Sequence, residues 1–179
     1  EIRAKYTVLG EGCRGHLGKE IIAKYNLSDD KDPQHYGIGF KEVWKLKDEV
    51  YEPGLVMHTN GWPTPLDTPS GSYFYHGENN EAYVGYVIPL DYKNPHLSPF
   101  DEFQKWKTHP SIKKYLEGAE RLSYGARALI KGGLQSLPKL DFPGGLLIGD
   151  NAGMLNFSKI KGSHTAMKSG TIAGEHVYC

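Results

Sequence analysis

Cysteine is nearly absent from the 179 residues: there are two, Cys13 and Cys179. Two isolated sites cannot build a disulfide framework, and a reducing compartment is the simpler setting. No CxxC pair occurs, which argues against a zinc or iron–sulfur site built from this chain. Net charge is missing too. Lys+Arg number 21 and so do Asp+Glu, so nothing supports a nucleic-acid binder working through a basic face. No apolar run approaches the roughly 18–20 residues needed to cross a bilayer. The opening EIRAKYTVLG has neither the charged nor the long apolar region of a signal peptide. It also has no initiator Met, which leads us to expect a processed chain or an excised piece. G-x-S-x-G does not occur, and no Ser/His/Asp arrangement is legible. The eight histidines are scattered. None of His58, His76, His109 and His164 has a partner at metal-ligand spacing, so structural or surface roles are expected of them.

What remains is an ordinary globular composition, 39% hydrophobic and 23% charged, enough for one substantial core or two small ones. RAKYTVLGEG reads as a strand entering a turn, and HLGKEIIAKYNL as a helix ending at Asn26. SDDKDPQH is a loop and HYGIGFKEVWKL a strand. The stretch from Val50 to Gly71 reads as short strands with long turns. SYFYHGENNEAYVGYVIPLDY is a hairpin turning at GENNE. Ser98 is a good N-cap with Pro99 behind it and Asp101 and Glu102 in the first turn. Ser111 is expected to open a second short helix that buries Ile112, Tyr115 and Leu116 and stops at Gly118. RLSYGARAL and LQSLPKL are predicted strands joined by KGG. GGLLIGD is a buried strand, and SHTAMKSGTIAGEHV is a helix with small residues on one face. The two ends read as parts of one α/β unit, with an antiparallel sheet inserted between them.

Three features could carry chemistry. GEGCRGHLGK sets glycines at a strand-to-helix turn, where backbone can approach a ligand. The spacing is not the G-x-G-x-x-G of a dinucleotide fingerprint, and Glu11 would repel a phosphate. GLLIGD ends in Asp150, a carboxylate at a strand end that can accept hydrogen bonds from sugar or ribityl hydroxyls. The helix that follows offers free N–H groups to an electron-rich ring edge, although a plain helix-capping Asp is the commoner fate of such a residue. Phe100, Phe103 and Trp106, three apart, form either a core face or an apolar ridge at a membrane surface flanked by Lys105, Lys107, Lys113 and Lys114.

Longer blocks carry a family resemblance. GCRGHLGK, YGIGFKEVW, HTNGWP, LDYKNPHLSPFDEFQKWKTHPSI, LEGAERLSYGARAL, GGLQSLPKLDFPGGLLIGD and KIKGSHTAMKSG look like the electron transfer flavoprotein–ubiquinone oxidoreductase family, in order and over nearly the whole chain. The resemblance implies a flavoprotein containing FAD, peripheral on a bacterial cytoplasmic membrane or on the matrix side of a mitochondrial inner membrane. It implies electrons taken from reduced electron transfer flavoprotein and passed to ubiquinone. Such proteins open with a dinucleotide fingerprint and close with a domain holding a 4Fe-4S cluster. Neither is in this sequence, so the resemblance makes it a central piece, expected to bind FAD weakly or not at all when alone.

Carried over by residue, Glu11 and Gly12 with Arg14 match the family's second FAD motif. Gly149 and Asp150 match the Gly-Asp motif that meets the ribityl chain. Asn156, Gly162, Ser163 and Thr165 match the segment beside the flavin ring, where the resemblance implies a helix N-terminus stabilising charge at the N1/O2 edge. Ser70 and Gly71, in the turn Ser70–Tyr73, resemble a Gly-Gly turn whose backbone meets the quinone head. Ser70 stands in place of the first glycine, and Pro69 where a tyrosine is expected. No catalytic side chain or metal ligand is implied. The expected fold class is α+β: a mostly antiparallel or mixed sheet with flanking helices, bracketed by βα pieces of an FAD-binding α/β domain. The expected domains are residues 1–30 and 141–179 for the FAD-binding part and 31–140 for a quinone-binding, membrane-facing part. Competing readings are a non-catalytic membrane-surface or partner-binding domain, and a flavoprotein hydroxylase or prenyl reductase on the same plan.

Overall fold

The structure, a computed structural model, describes residues 3–156 and 161–178. Lys159 and Ile160 of the KIKG block, and Cys179, lie outside them. The chain runs β1 (Thr7–Leu9), α1 (His16–Lys24), β2 (Tyr36–Lys45), β3 (Val56–Asn60), β4 (Gly71–His76), β5 (Glu81–Pro89), α2 (Pro99–Lys107), α3 (Pro110–Leu116), β6 (Glu120–Ile130), β7 (Asp141–Phe142), β8 (Gly145–Leu147) and α4 (Ser163–Tyr178). The fold is α+β. It divides into two compact units, Glu1–Tyr36 with Ala128–Cys179, and Gly37–Arg127.

In the first unit β1 and β8 pair in parallel, Thr7 against Gly145 through Leu9 against Leu147. β7 adds to β8 in antiparallel fashion. A small core of Leu9, Leu27, Leu147 and Ala152 forms around them, with Tyr25 stacked on Phe142 at 5.8 Å. One sequence expectation changes here. LQSLPKL is not a strand: residues Leu134–Ser136 make a single 3-10 turn entered from Gly133 at φ 76. Pro138 then supplies no ladder N–H. The short strand β7, which the sequence pattern did not reveal, takes the place beside β8.

The second unit is built on the sheet ordered β3-β4-β5-β2-β6. The hairpin β4–β5 turns through Asn79 and Asn80 at φ 54 and 57, the left-handed pair that a tight hairpin requires and asparagine tolerates. Alternation sends Phe74, Val84, Tyr86 and Ile88 to one face, where α2 and α3 cover them with Phe103, Trp106, Ile112 and Tyr115. α2 starts as expected, with Ser98 Oγ accepting from Asp101 N–H at 3.3 Å. α3 does not start at Ser111. Pro110 opens it and His109 Nδ1 accepts from Ser111 N–H. Of the aromatic stripe, Phe103 and Trp106 are core, while Phe100 is 52% exposed.

Among the buried polar groups of this unit, Glu42 and His76 stand out. Glu42 Oε2 accepts from Lys107 Nζ at 2.7 Å and from Trp44 Nε1 at 2.8 Å; Oε1 accepts from Lys107 Nζ at 2.9 Å and Arg121 Nη1 at 3.4 Å. His76 is buried among Tyr51, Phe74 and Tyr115. Its Nδ1 lies 2.9 Å from both the N–H and the carbonyl oxygen of Glu52, and its Nε2 meets no hydrogen-bond partner among the described residues.

Desolvation lowers the His76 pKa from its ordinary 6.5, outweighing the opposing pull of Glu52. In the unfolded chain the same imidazole protonates as pH falls through about 6.5. The unfolded state then binds the extra proton, so stability is full above that pH and declines below it. We expect the thermal midpoint to fall between pH 6.5 and 5 more steeply in the wild type than in His76→Gln. Parallel slopes in the two proteins would contradict this.

Candidate functional site

The first unit gathers most of the predicted residues at one edge. β1 and β8 are parallel neighbours, so the turns leaving them, Gly10–Gly15 and Gly149–Asn151, emerge at the same carboxyl end. In α/β sheets that is the end where ligands sit. Gly12 has φ 79 and Gly149 φ 57, so both turns need glycine and leave bare backbone at the edge. A Cβ on Gly149 would meet the Ala166 methyl at 3.5 Å, and Gly149 N–H donates to Ser169 Oγ at 2.9 Å. The Gly-Asp turn is therefore laid against the first two turns of α4.

The predicted residues have different tasks. Glu11 does not reach out to a ligand: its Oε2 accepts from Gly18 N–H at 2.8 Å and Oε1 from Leu17 N–H at 3.4 Å. It thereby caps α1, whose N-cap residue Gly15 has no side chain to do so. A carboxylate on those amides excludes a phosphate from them. Arg14 is exposed beside it. Asn156 pairs through its backbone with Lys161. Thr165 Oγ1 lies within hydrogen-bond reach of the carbonyls of Met154 and Gly162, tying the start of α4 to the loop before it. Ser163 is exposed at the first position of α4, and Gly162 immediately precedes it.

Asn151 was missed by sequence reasoning. It is buried, and its Nδ2 donates to Leu9 O at 3.3 Å, stitching the ends of β1 and β8 together. Gly15 and Gly18 both press on its side chain; a Cβ on Gly18 would stand 2.5 Å from Asn151 Oδ1 and 2.7 Å from Nδ2. The only sequence signal was a polar residue directly after Gly-Asp. We expect Gly18→Ala to destabilise this unit. Overpacking costs about 1–3 kcal/mol, and the helix-propensity gain of up to about 1 kcal/mol does not offset it. A thermal midpoint at or above wild type would refute the crowding. A cavity of about 430 Å³ opens beside this point, lined by Cys13, Gly15, Lys19, Gln34, Asn151 and Ala152 among others, and by none of the predicted site residues.

The two predicted quinone residues lie in the second unit. Gly71 begins β4 opposite Asn60, half-exposed, with nothing nearer to its absent Cβ than Thr59 O at 3.9 Å. Ser70 is instead buried, its hydroxyl bonded to Gly61 O, Thr64 Oγ1 and Tyr86 OH. Spacing gave no sign of Thr64 or Tyr86. The ten-residue loop Gly61–Ser70 that leads into this turn carries a fully exposed Leu66 and a Trp62 exposed by 46%. Among the described residues no group of His, Cys, Asp and Glu could hold a metal ion, and no helix is long and apolar enough to cross a membrane.

The chain is similar to known proteins along its length. A family model described as "ETF-QO, ubiquinone-binding" matches residues 36–129, just over half the chain and close to the bounds of the second unit. A protein of Acinetobacter baylyi named probable electron transfer flavoprotein-ubiquinone oxidoreductase is 62% identical over 179 residues, covering 99% of this chain and 31% of its own length. The mitochondrial electron transfer flavoprotein-ubiquinone oxidoreductase of Sus scrofa is 54% identical over 180 residues, covering 99% and 29%. The chain thus spans about a third of the curated relatives it matches. A flavoprotein/dehydrogenase structure from Cytophaga hutchinsonii superposes with TM-score 0.57 at 15% identity, covering 95% of this chain and 40% of that one; it shares the fold.

Proposed function

Because the chain belongs to the electron transfer flavoprotein–ubiquinone oxidoreductase family, we propose that it forms the central part of an enzyme that takes electrons from reduced electron transfer flavoprotein and reduces ubiquinone. The observation that carries this reading is the match over residues 36–129, which coincides with one compact unit. FAD is the proposed cofactor of the first unit, and a 4Fe-4S cluster is proposed for segments beyond this chain. The proposed setting is the surface of a bacterial cytoplasmic or mitochondrial inner membrane. The apolar side chains of Trp62 and Leu66, on the loop that runs into Ser70–Gly71, support an approach from a bilayer.

The edge formed by Gly12, Gly149 and the start of α4 fits the ribityl and ring portion of FAD, since it offers bare backbone at two left-handed glycines. It does not fit the pyrophosphate at α1, whose amides Glu11 already occupies. Bound there, FAD supplies the redox chemistry. Asp150 would accept hydrogen bonds from the ribityl hydroxyls. Gly162, Ser163 and Thr165 present the positive end of α4, with Asn156 closing the loop beside it, so that negative charge at a ring edge is favoured. Glu11 supports the site by holding α1, and Arg14, exposed beside it, is offered to an anionic group. In the second unit the Ser70–Gly71 backbone meets the quinone head.

The test uses the purified full-length protein, reduced electron transfer flavoprotein and a short-chain ubiquinone. Quinone reduction that keeps pace with oxidation of the flavoprotein is expected. Oxidation without quinol formation would reject the assignment.

A further inference from the structure

The sheet of the second unit ends at β6, and among the described residues no strand lies beyond it. From Glu120 to Arg127 every residue of β6 is exposed, Leu122 by 48% and Tyr124 by 79%. A long edge strand presents a row of backbone N–H and C=O groups that invites pairing. Proteins guard such edges with proline, lysine, bulges or a cover. Residues 120–127, ERLSYGAR, contain no proline and no lysine. Their charges stand at the ends, on Glu120, Arg121 and Arg127, and the five residues between, LSYGA, carry none.

Gly125 sits in the middle of that stretch. Glycine weakens a strand interior and often marks a place where another backbone comes close. Neither its own conformation nor its neighbours require it here. It is not among the glycines of positive φ, and a Cβ built on it would meet nothing within 4 Å. By the two-residue period Gly125 shares a face with Arg121, whose Nη1 donates to Glu42 Oε1 on the side that α2 covers. A groove of about 440 Å³ opens there, lined by Phe40, Phe100, Phe103, Arg121, Tyr124 and Gly125 among others. Phe100 belongs to its wall, 52% exposed although its ring lies edge-on to Phe40 at 6.1 Å. The groove thus joins an unguarded edge to an aromatic pocket, with a glycine at the junction.

We propose that β6 is a docking edge for a sixth strand of the same polypeptide, drawn from outside residues 1–179. That strand passes close to Gly125 and sets a large apolar side chain among Phe40, Phe100 and Phe103. The chain spans 31% of its Acinetobacter baylyi relative and 29% of the Sus scrofa one, so the greater part of such a protein is at hand to provide it. A strand tethered to the same chain meets the edge at high effective concentration and loses no translational freedom in docking. It also covers the edge permanently. A partner protein that comes and goes would leave LSYGA open between encounters, with none of the usual guards in place.

The experiment uses the full-length protein with Tyr124 replaced by the photocrosslinker p-benzoylphenylalanine. After irradiation, peptide mass spectrometry of the monomer is expected to find position 124 joined to a peptide from outside residues 1–179. Crosslinks confined to residues 1–179, crosslinks to a second copy or to another protein, or no crosslink at all would overturn the proposal. Hydrogen exchange of the unsubstituted full-length protein decides the matter if that variant does not fold. Amides of residues 121–127 should all exchange at least about tenfold more slowly than those of an exposed loop. Exchange of alternate amides at the loop rate would reveal a free edge and overturn it. Gly125→Val tests the close passage. On a free edge valine favours the strand and exchange stays the same or slows. Under a covering strand it collides, and exchange of residues 121–127 should quicken at least about threefold as the cover loosens; unchanged or slower exchange would remove the strand from Gly125.

Discussion

Glu42→Ala is expected to destabilise the second unit by about 3–5 kcal/mol, the cost of breaking a buried ion pair from one side. Glu42 is 4% exposed, and its carboxylate takes four hydrogen bonds, two of them from Lys107. The Lys107 side chain is itself only 11% exposed and its ammonium lies over the rings of Trp44 and Phe103. Removing the carboxylate leaves that ammonium desolvated with only ring faces for company, and leaves the Trp44 indole N–H without its acceptor. Arg121, 44% exposed, turns to water at little cost. The pair is a liability when half-broken more than a net source of stability, since well-packed apolar replacements of both members are often neutral. The double variant Glu42→Met with Lys107→Met should therefore recover most of the loss. Thermal or urea melts of the three proteins check this. A double variant no better than Glu42→Ala would show that the carboxylate does more than neutralise Lys107.

Asp150→Ala in the full-length protein is expected to purify with depleted flavin. A carboxylate accepting from hydroxyls contributes about 1.5–3 kcal/mol, which corresponds to roughly 10- to 100-fold weaker binding. Fold damage should be small, because the turn around Asp150 is held by other groups: Gly149 N–H on Ser169 and Asn151 on Leu9. Flavin absorbance relative to protein absorbance is the measurement. Full occupancy would contradict the proposed contact between Asp150 and the ribityl chain.

Much of this arrangement was legible in the residues. Ser98, Pro99 and Asp101 announce α2 because capping and first-turn chemistry are local, and the hairpin at Asn79–Asn80 is local for the same reason. LQSLPKL misled because its leucines mimic alternation while Gly133 and Pro138 break the ladder. The three-residue spacing of Phe100, Phe103 and Trp106 shows a helix face but not where the sheet beneath it ends, and Phe100 runs past the cover. Glu42 was readable in principle, since it falls in the inward register with Ile38, Phe40 and Trp44; its partner Lys107, far along the chain, was not. Asn151 and the Tyr86–Ser70–Thr64 cluster depend on contacts between distant segments, which no periodicity encodes. The Gly-Asp turn was recognisable as a motif, but Glu11's work as the cap of α1 needed coordinates.

The path of the chain has its own consequence. It enters the second unit at Gly37 and leaves at Arg127, on the neighbouring strands β2 and β6. Just outside those points Lys131 N–H donates to His35 O at 2.8 Å. An insertion whose two ends emerge side by side is a cassette. Its loops can lengthen, and its sheet can be exchanged for another, with no rethreading of the host chain on either side. Residues 37–127 can therefore be rewritten while the glycine turns of the host stay as they are.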